Sequence, residues 1–560
     1  MKIMRLHTLI CSILLCSLSP VTGQVNSGPV PTKAATEIPH LQKQGTATQL
    51  IVDGKPFLAL TGELLNNSAT SLEYMKPIWD KLVATKLNSV IAGVSWAQVE
   101  PAEGKFDFRV VDGVIQEARA HNLKLILIWF ASWKNGYSSY PPDWLKKDFD
   151  RFPRAQVAGG KSIELLSPLS DANRDADARA FAALMRHIKA LDSVQRTVIL
   201  IQVENEVGVL GDSRDRSPLA NKAFEGPVPK ELMDYLQKNK ETLIPEFRKV
   251  WEAAGSKASG TWEEVFGQGA GTDELFMAWN YARYVGRVAE AGKAEYPIPM
   301  YVNAWLYGFG RPNQPGRTPS GGPLPHVMDL WRAGAPKIDI LSPDLYNDLV
   351  PFAALYTRSG NPLFIPEGQA GAEGGARALY VFGRHDAIGY SPFAIDRAAG
   401  SDPALTAVYD ILSQLTPLIL KHQGNGTMSA VLLGPNDTTQ KVQVGDYTVT
   451  AATSSRPRPP AAAGAAPTTA PPPPAAPSAA AIFIAAGPNE FFVAGSGITI
   501  GISPNTPGPP LAGFATVEEG KFVDGRWVAG RRLAGDDDAQ GEAVNLRTMG
   551  IQRFTVYRYR

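Results

Sequence analysis

The feature that most constrains this chain is an alternation. Short runs of β-branched and apolar residues recur between longer amphipathic stretches from about residue 46 to residue 425. The runs Phe57–Thr61, Ser89–Val94, Leu123–Trp129, Val198–Val203, Pro299–Asn303, Ile338–Ser342, Leu363–Pro366 and Ala387–Phe393 read as eight strands. Leu72–Thr85, Val110–Ala120 and Asp175–Leu191 carry helical spacing between them. Strands separated by helices imply a parallel sheet, since each parallel connection needs a crossover. Eight such units predict an α/β fold, a (β/α)8 TIM barrel, over residues 46–425. The longest interval, Glu206 to Pro299, holds the charged stretch Lys230–Lys240 and the aromatic-rich stretch Phe276–Tyr284, expected as loop decoration of the barrel.

Beyond residue 425 the pattern changes. Val442–Thr453, Ile482–Ala486, Glu490–Val493, Ile498–Ile502 and Phe554–Arg558 read as strands with turn residues between them, so residues 426–560 are expected to form an antiparallel β-sandwich. Within that region, residues 454–481 are dominated by proline and alanine, a composition that cannot pack a core and predicts a disordered segment. It suits either a domain linker or a long loop inside the β-domain.

The first residues predict export. Lys2 and Arg5 precede the apolar run Leu9–Leu18, and Pro20-Val21-Thr22-Gly23 offers small residues for cleavage, the order of a secretory signal over residues 1–23. Residues 24–45 are expected to be a loose leader. The expected location is secreted or periplasmic, with no membrane-spanning segment left after cleavage. Both cysteines, Cys11 and Cys16, fall inside the signal, so disulfides, thiol nucleophiles and cysteine–zinc sites are set aside for the mature chain. The 55 basic and 54 acidic side chains balance to +1, which gives no electrostatic reason for a nucleic acid or an anionic membrane as partner. A neutral carbohydrate fits, and a homodimer is compatible.

Catalytic groups of a barrel sit at the C-terminal strand ends. The fourth run ends in Gln202-Val203-Glu204-Asn205-Glu206-Val207-Gly208, and the seventh in Phe364-Ile365-Pro366-Glu367-Gly368. Two carboxyls on opposite sides of one mouth are what glycoside hydrolysis needs, one to protonate the leaving oxygen and one to attack or to activate water. Glu204 rivals Glu206, but it lies deeper in the strand, where a buried structural carboxyl is expected. Trp129, Trp133, Trp144 and Trp305 lie at or beyond strand ends. Trp133 and Trp305 are the preferred platforms for a sugar ring, against core packing as the other reading. Asn303, and Asp344 with Tyr346, could bind hydroxyls or simply form turns. No cofactor is expected. The seven histidines show no metal spacing, and no strand-end lysine or histidine–aspartate cluster is visible to support an aldolase or a metal-dependent hydrolase.

The 202–208 motif resembles the signature of glycoside hydrolase family 35, the β-galactosidases. Ser95-Trp96-Ala97-Gln98-Val99-Glu100-Pro101 followed by Glu103-Gly104-Lys105-Phe106-Asp107-Phe108 is similar to the stretch after that family's second strand. The resemblance covers about residues 45–420, and the tail looks like the accessory domain of a bacterial subgroup. It implies a retaining exo-β-galactosidase with Glu206 as acid/base, Glu367 as nucleophile and Asn205 as a ligand of the 2-hydroxyl. Where the family has Asn-Ala-Glu-Trp, this chain has Phe130-Ala131-Ser132-Trp133, continuing Lys134-Asn135-Gly136. Where the family has Gly-x-x-His-Tyr, it has Gly62-Glu63-Leu64-Leu65-Asn66. These departures bear on the sugar, and the subgroup suggests galactosyl side chains of xyloglucan. Another retaining exo-glycosidase, a β-glucosidase or β-arabinosidase, shares all these residues, and an inactive carbohydrate-binding barrel is the alternative of a different class.

Overall fold

The structure, a computed structural model, describes residues 37–454 and 479–560. The expected signal at 1–23, most of the leader and nearly all of the Pro/Ala segment lie outside the described residues. The last residues of the expected leader are a strand: His40–Gln44 pairs antiparallel with Ala47–Val52, which pairs in turn with Lys55–Phe57. Leu50 and Val52 of this sheet are buried among inward side chains of the barrel strands, so the sheet plugs the barrel from below. That partnership, which has no local signature, is what orders a stretch that looks loose in sequence.

Eight parallel strands follow: β1 (Ala59–Leu60), β2 (Ser89–Ser95), β3 (Lys124–Lys134), β4 (Val198–Asn205), β5 (Met300–Trp305), β6 (Ile340–Asp344), β7 (Phe364–Gly368) and β8 (Gly389–Pro392). They form two arcs, β2-β3-β4-β5-β6 and β7-β8-β1. Single parallel bridges, Glu63 to Ile91 and Leu345 to Gly368, join the arcs at both seams, a TIM-barrel-type arrangement. Ile91, Ile126, Ile128, Phe130, Tyr301, Ile340, Phe364 and Ile388 fill the interior of the lower layers. The outer layer includes α1 (Arg109–Ala120), α2 (Asp171–Asp192), α3 (Ala270–Glu295), α4 (Gly371–His385) and α5 (Pro403–His422). Phe276–Tyr284, read as decoration, is the middle of α3, whose buried face packs along α2. The apolar helix α5 is a barrel helix: its Tyr409 hydroxyl donates to the Thr61 and Tyr390 carbonyls, both 3.0 Å away.

The β-rich C-terminal region holds ten strands in two antiparallel sheets that share a core of Val431, Val449, Phe483, Phe491, Phe554 and neighbours. The strands that flank the Pro/Ala segment, Tyr447–Thr453 and Ala479–Gly487, belong one to each sheet. The segment therefore connects two sheets of one domain rather than two domains. The six-stranded sheet turns its other face to the barrel, where Ile482, Ile484 and Phe492 join the barrel core. Gly383 of α4 permits this approach, because a Cβ there would stand 2.7 Å from the Ala430 methyl.

Candidate active site

At the C-terminal end of the barrel a pocket of about 400 Å³ is lined by Lys134, Asn135, Glu206, Trp305, Asp344, Tyr346 and Glu367, with Asn66 and Phe393 closing one side. A larger groove, about 690 Å³, lies in the C-terminal region and contains none of these groups. The smaller pocket is the one with convergent carboxyls.

The end of β4 sets the arrangement. Successive residues of a strand alternate faces, so Glu204 and Glu206 should point the same way. They do not. Glu204 has φ +63° and Glu206 φ +44°, left-handed values that break the pleat. Asn205 then faces the barrel axis, Glu206 reaches the pocket, and Glu204 turns out toward α2. Non-glycine residues in this region cost on the order of 1 kcal/mol each and persist only where surroundings hold them. Here the surroundings do: the Glu206 N–H donates to Asn303 Oδ1 at 3.0 Å, and Glu204 accepts from the Ser132 and Trp133 N–H groups at 3.1 and 2.7 Å.

Glu206 and Glu367 are 5% and 4% exposed, enough for each to reach the pocket. Glu206, Glu367 and Asp344 each offer an oxygen, and the three oxygens all lie within 4.8 Å of one another. Three donors converge on Glu367: Tyr346 OH at 2.8 Å on Oε2, and the Asn205 and Asn303 amides at 3.2 and 3.4 Å on Oε1. Donors on a carboxylate favour its charged form. Glu206 accepts from the Asn135 amide. Burial first, then the negative charge of Glu367, pushes its pKa up to about 7, and the Lys134 ammonium opposes this. Asp344 and Glu63 are raised well above the ordinary carboxyl range, burial again leading and Glu367 adding to it. A carboxyl raised to about 7 beside one that three donors hold in place is the pairing that acid–base chemistry requires.

The residues expected at the site divide into three groups. Glu206, Glu367, Trp305 and Tyr346 line the pocket, Trp305 with 40% of its surface exposed. Asn205 and Asn303 lie just beneath, buried. The Asn205 amide donates to Glu367 while its oxygen accepts from Lys134 Nζ at 2.9 Å, so its partners here are protein groups and it orients the carboxylate. Trp133 belongs elsewhere, which corrects the platform expectation. The register between β3 and β4 slips after Trp129, and Trp133 turns into the layer between barrel and helices. It is fully buried there, its Nε1 donating to the Leu166 carbonyl, with its ring 4.4 Å from that of Tyr284. Trp129 and Trp144 are framework too, donating to Asp177 and to the Glu100 carbonyl.

Lys134 is the residue that strand-pattern reasoning missed. The sequence suggested β3 ending near Trp129, but the strand runs on to Lys134, so a strand-end lysine is present after all. Its only sequence signal was the departure Lys134-Asn135-Gly136 from the family pattern. Among the described residues it supplies the one ammonium beside Glu63, Glu206 and the partner amide of Glu367.

Residues 70–269 match the family described as Beta-galactosidase, glycoside hydrolase family 42, rather than the family 35 that the motifs resemble. Residues 405–545 match a Domain of unknown function (DUF5597), which begins inside α5. A Beta-galactosidase of Xanthomonas manihotis is 32% identical over 192 residues, 33% of this chain and 29% of that protein. Among solved structures, the β-galactosidase from Bacillus circulans sp. alkalophilus aligns at 16% identity with a TM-score of 0.43, covering 64% of this chain and 56% of that one. That from Rahnella sp. R3 aligns at 15% identity with a TM-score of 0.44, covering 65% and 57%. The chain thus spans under a third of the curated relative and little more than half of these two structures. What the β-galactosidase-like segment includes is the β4 end with Glu206; Glu367 lies outside both matched segments.

Proposed function

We propose that this chain is a β-galactosidase-like glycoside hydrolase that works by retention, with Glu367 as nucleophile and Glu206 as acid/base. The observation that carries the reading is the spacing of the two carboxyls. Oxygens within 4.8 Å of one another lie nearer the carboxyl separation of about 5–5.5 Å used for covalent capture than the separation of about 6.5–9.5 Å at which inverting enzymes hold a water between their carboxyls. A closed ring of eight strands, supported by the two bridged seams, would hold β4 and β7 across that distance.

The chemistry follows from the site. Glu367, held in place by three donors, attacks the anomeric carbon as the bond to the leaving oxygen breaks. Glu206 transfers its proton to that oxygen. Water then attacks the glycosyl ester, Glu206 removes its proton, and Glu367 leaves. Trp305 offers a ring face against the sugar or its leaving group.

The proposed substrate is a terminal β-galactosyl group, xyloglucan side chains included. Product analysis on galactosylated xyloglucan oligosaccharides beside lactose tests this, with proton NMR recording the anomer first released. Galactose released as the β-anomer is expected. The α-anomer would refute retention, and glucose or arabinose as the product from a glycoside panel would place the chain with another exo-glycosidase. Export is proposed from the signal pattern of residues 1–23, and N-terminal sequencing of exported protein would locate the cleavage.

A further inference from the structure

A third carboxyl stands in the pocket. Asp344 ends β6 beside Trp305 of β5 and accepts from the Asn303 amide at 2.8 Å through Oδ2. Its other oxygen, Oδ1, is buried with no donor facing it among the described residues. The Glu206 carboxyl stands beside Asp344, with an oxygen of each within 4.8 Å of the other. Two buried carboxyls in contact repel unless a proton lies between them.

The charges around the pair require the same thing. The titratable groups around it are Glu367 of β7, Glu63 beyond β1, Lys134 of β3, and the hydroxyls of Tyr346, Tyr301 and Tyr356. Four carboxyls and one ammonium reach neutrality with three protons. With Glu367 taking the negative charge that its role as nucleophile requires, the protons fall to Glu63, Asp344 and Glu206, none of which has so many donors on its oxygens among the described residues.

Resting on the assignment of Glu206 as acid/base, we propose that Asp344 is its positioning partner, the two forming a dyad in which Asp344 keeps a proton throughout the cycle and turns it toward Glu206 whenever Glu206 is ionised. In the first step the Glu206 O–H bond breaks and its proton goes to the leaving oxygen, which takes the electron pair of the broken C–O bond, while a Glu367 oxygen bonds to the anomeric carbon. Glu206 is now a carboxylate in a buried pocket, and the Asp344 O–H donates to it. In the second step Glu206 takes a proton from the attacking water, the Glu367–carbon bond breaks, and both carboxyls carry protons again. Asp344 ends unchanged. Burial holds its pKa well above the ordinary range, so it is a donor when Glu206 needs one.

Asp344→Ala and Asp344→Asn separate this from other roles, since asparagine keeps an acceptor for Asn303 and an N–H for Glu206. With an aryl galactoside of poor leaving ability, Asp344→Ala should lower kcat about 10- to 100-fold and move the alkaline limb of kcat/KM upward, while Asp344→Asn should stay close to wild type in both. With a dinitrophenyl leaving group, which needs no proton, the loss in the first step should largely disappear. A rise in KM equal for both leaving groups, with the limb unmoved, would make Asp344 a sugar ligand and overturn the dyad. So would a divalent ion bound at the three carboxyls of the purified protein. If Asp344→Ala does not fold, Asp344→Ser, too short to reach Glu206, is judged in its place. Titration of Glu206 by carbon NMR in the substrate-free protein decides the dyad apart from substrate: an unchanged midpoint in Asp344→Ala refutes it. Absence of hydrolysis of any glycoside by the wild type would instead refute the proposed function.

Discussion

Two carboxyl pairs flank the end of β4, and they have the same composition but opposite settings. Glu206 with Asp344 faces the pocket. Glu204 with Asp177 of α2 faces the layer between barrel and helices. Burial is the leading cause of a raised pKa in all four. The rear pair is well satisfied: Glu204 accepts two backbone N–H groups, and Asp177 accepts from Trp129 Nε1 and Ser132 Oγ, which in turn contacts the Tyr284 hydroxyl at 2.7 Å. The front pair keeps an oxygen without a donor and opens on a pocket. Buried carboxyls with every valence met hold a structure together, and those with a valence left over are available to react.

This contrast can be broken by substitution. The largest effect should come from the front: Glu367→Gln removes turnover, and Glu206→Gln lowers kcat by about 10²–10⁴-fold, with thermal melting near wild type in both. Assays beside melting curves check this, and activity in Glu367→Gln would remove the nucleophile. The rear pair should show the reverse pattern, chiefly in stability. Glu204→Ala leaves the Ser132 and Trp133 N–H groups without an acceptor and should cost about 3 kcal/mol, while Glu204→Gln, which resembles the protonated acid, should cost far less. Denaturant unfolding of the two variants tests this.

A pH series sharpens the comparison at intermediate size. Glu206 must be protonated to act, so activity should fall as pH rises through about 7. The raised pKa values of Glu204 and Asp177 mean that the folded chain holds protons that the unfolded chain releases. Their contribution to stability therefore declines as pH climbs above the ordinary carboxyl range, and Glu204→Gln should flatten that decline. The smallest effects belong to two tryptophans. Trp305→Ala should raise KM about 5- to 10-fold with kcat little changed, whereas Trp133→Phe should lower stability by about 1–2 kcal/mol and leave KM alone. A KM effect in Trp133→Phe would return that residue to the site.

Much of the site was legible because its signals are local. A strand announces itself by β-branched runs, and the carboxyls of Glu206 and Glu367 follow two such runs directly. Glu204 could be assigned to the interior because it lies two residues deeper. Lys134 and Trp133 could not be placed, since β3 continues through Ala131-Ser132-Trp133-Lys134, a stretch without strand periodicity that is held in line by β4 rather than by its own residues. His40–Gln44 was misjudged for a similar reason, its strand existing only because Ala47–Val52 lies beside it.

By itself, the sequence determined the alternation of strands and helices, the change of texture near residue 425, and the presence of two glutamates at the ends of the fourth and seventh strands, because residue type and period act along the chain. Only the tertiary structure decided which way each side chain faces at the end of β4, that Asp344 meets Glu206, and that Lys134 enters the pocket. Those outcomes depend on two left-handed residues and a register slip, which are stabilised by groups dozens to hundreds of residues away, and no window of sequence contains both the strain and the contacts that hold it.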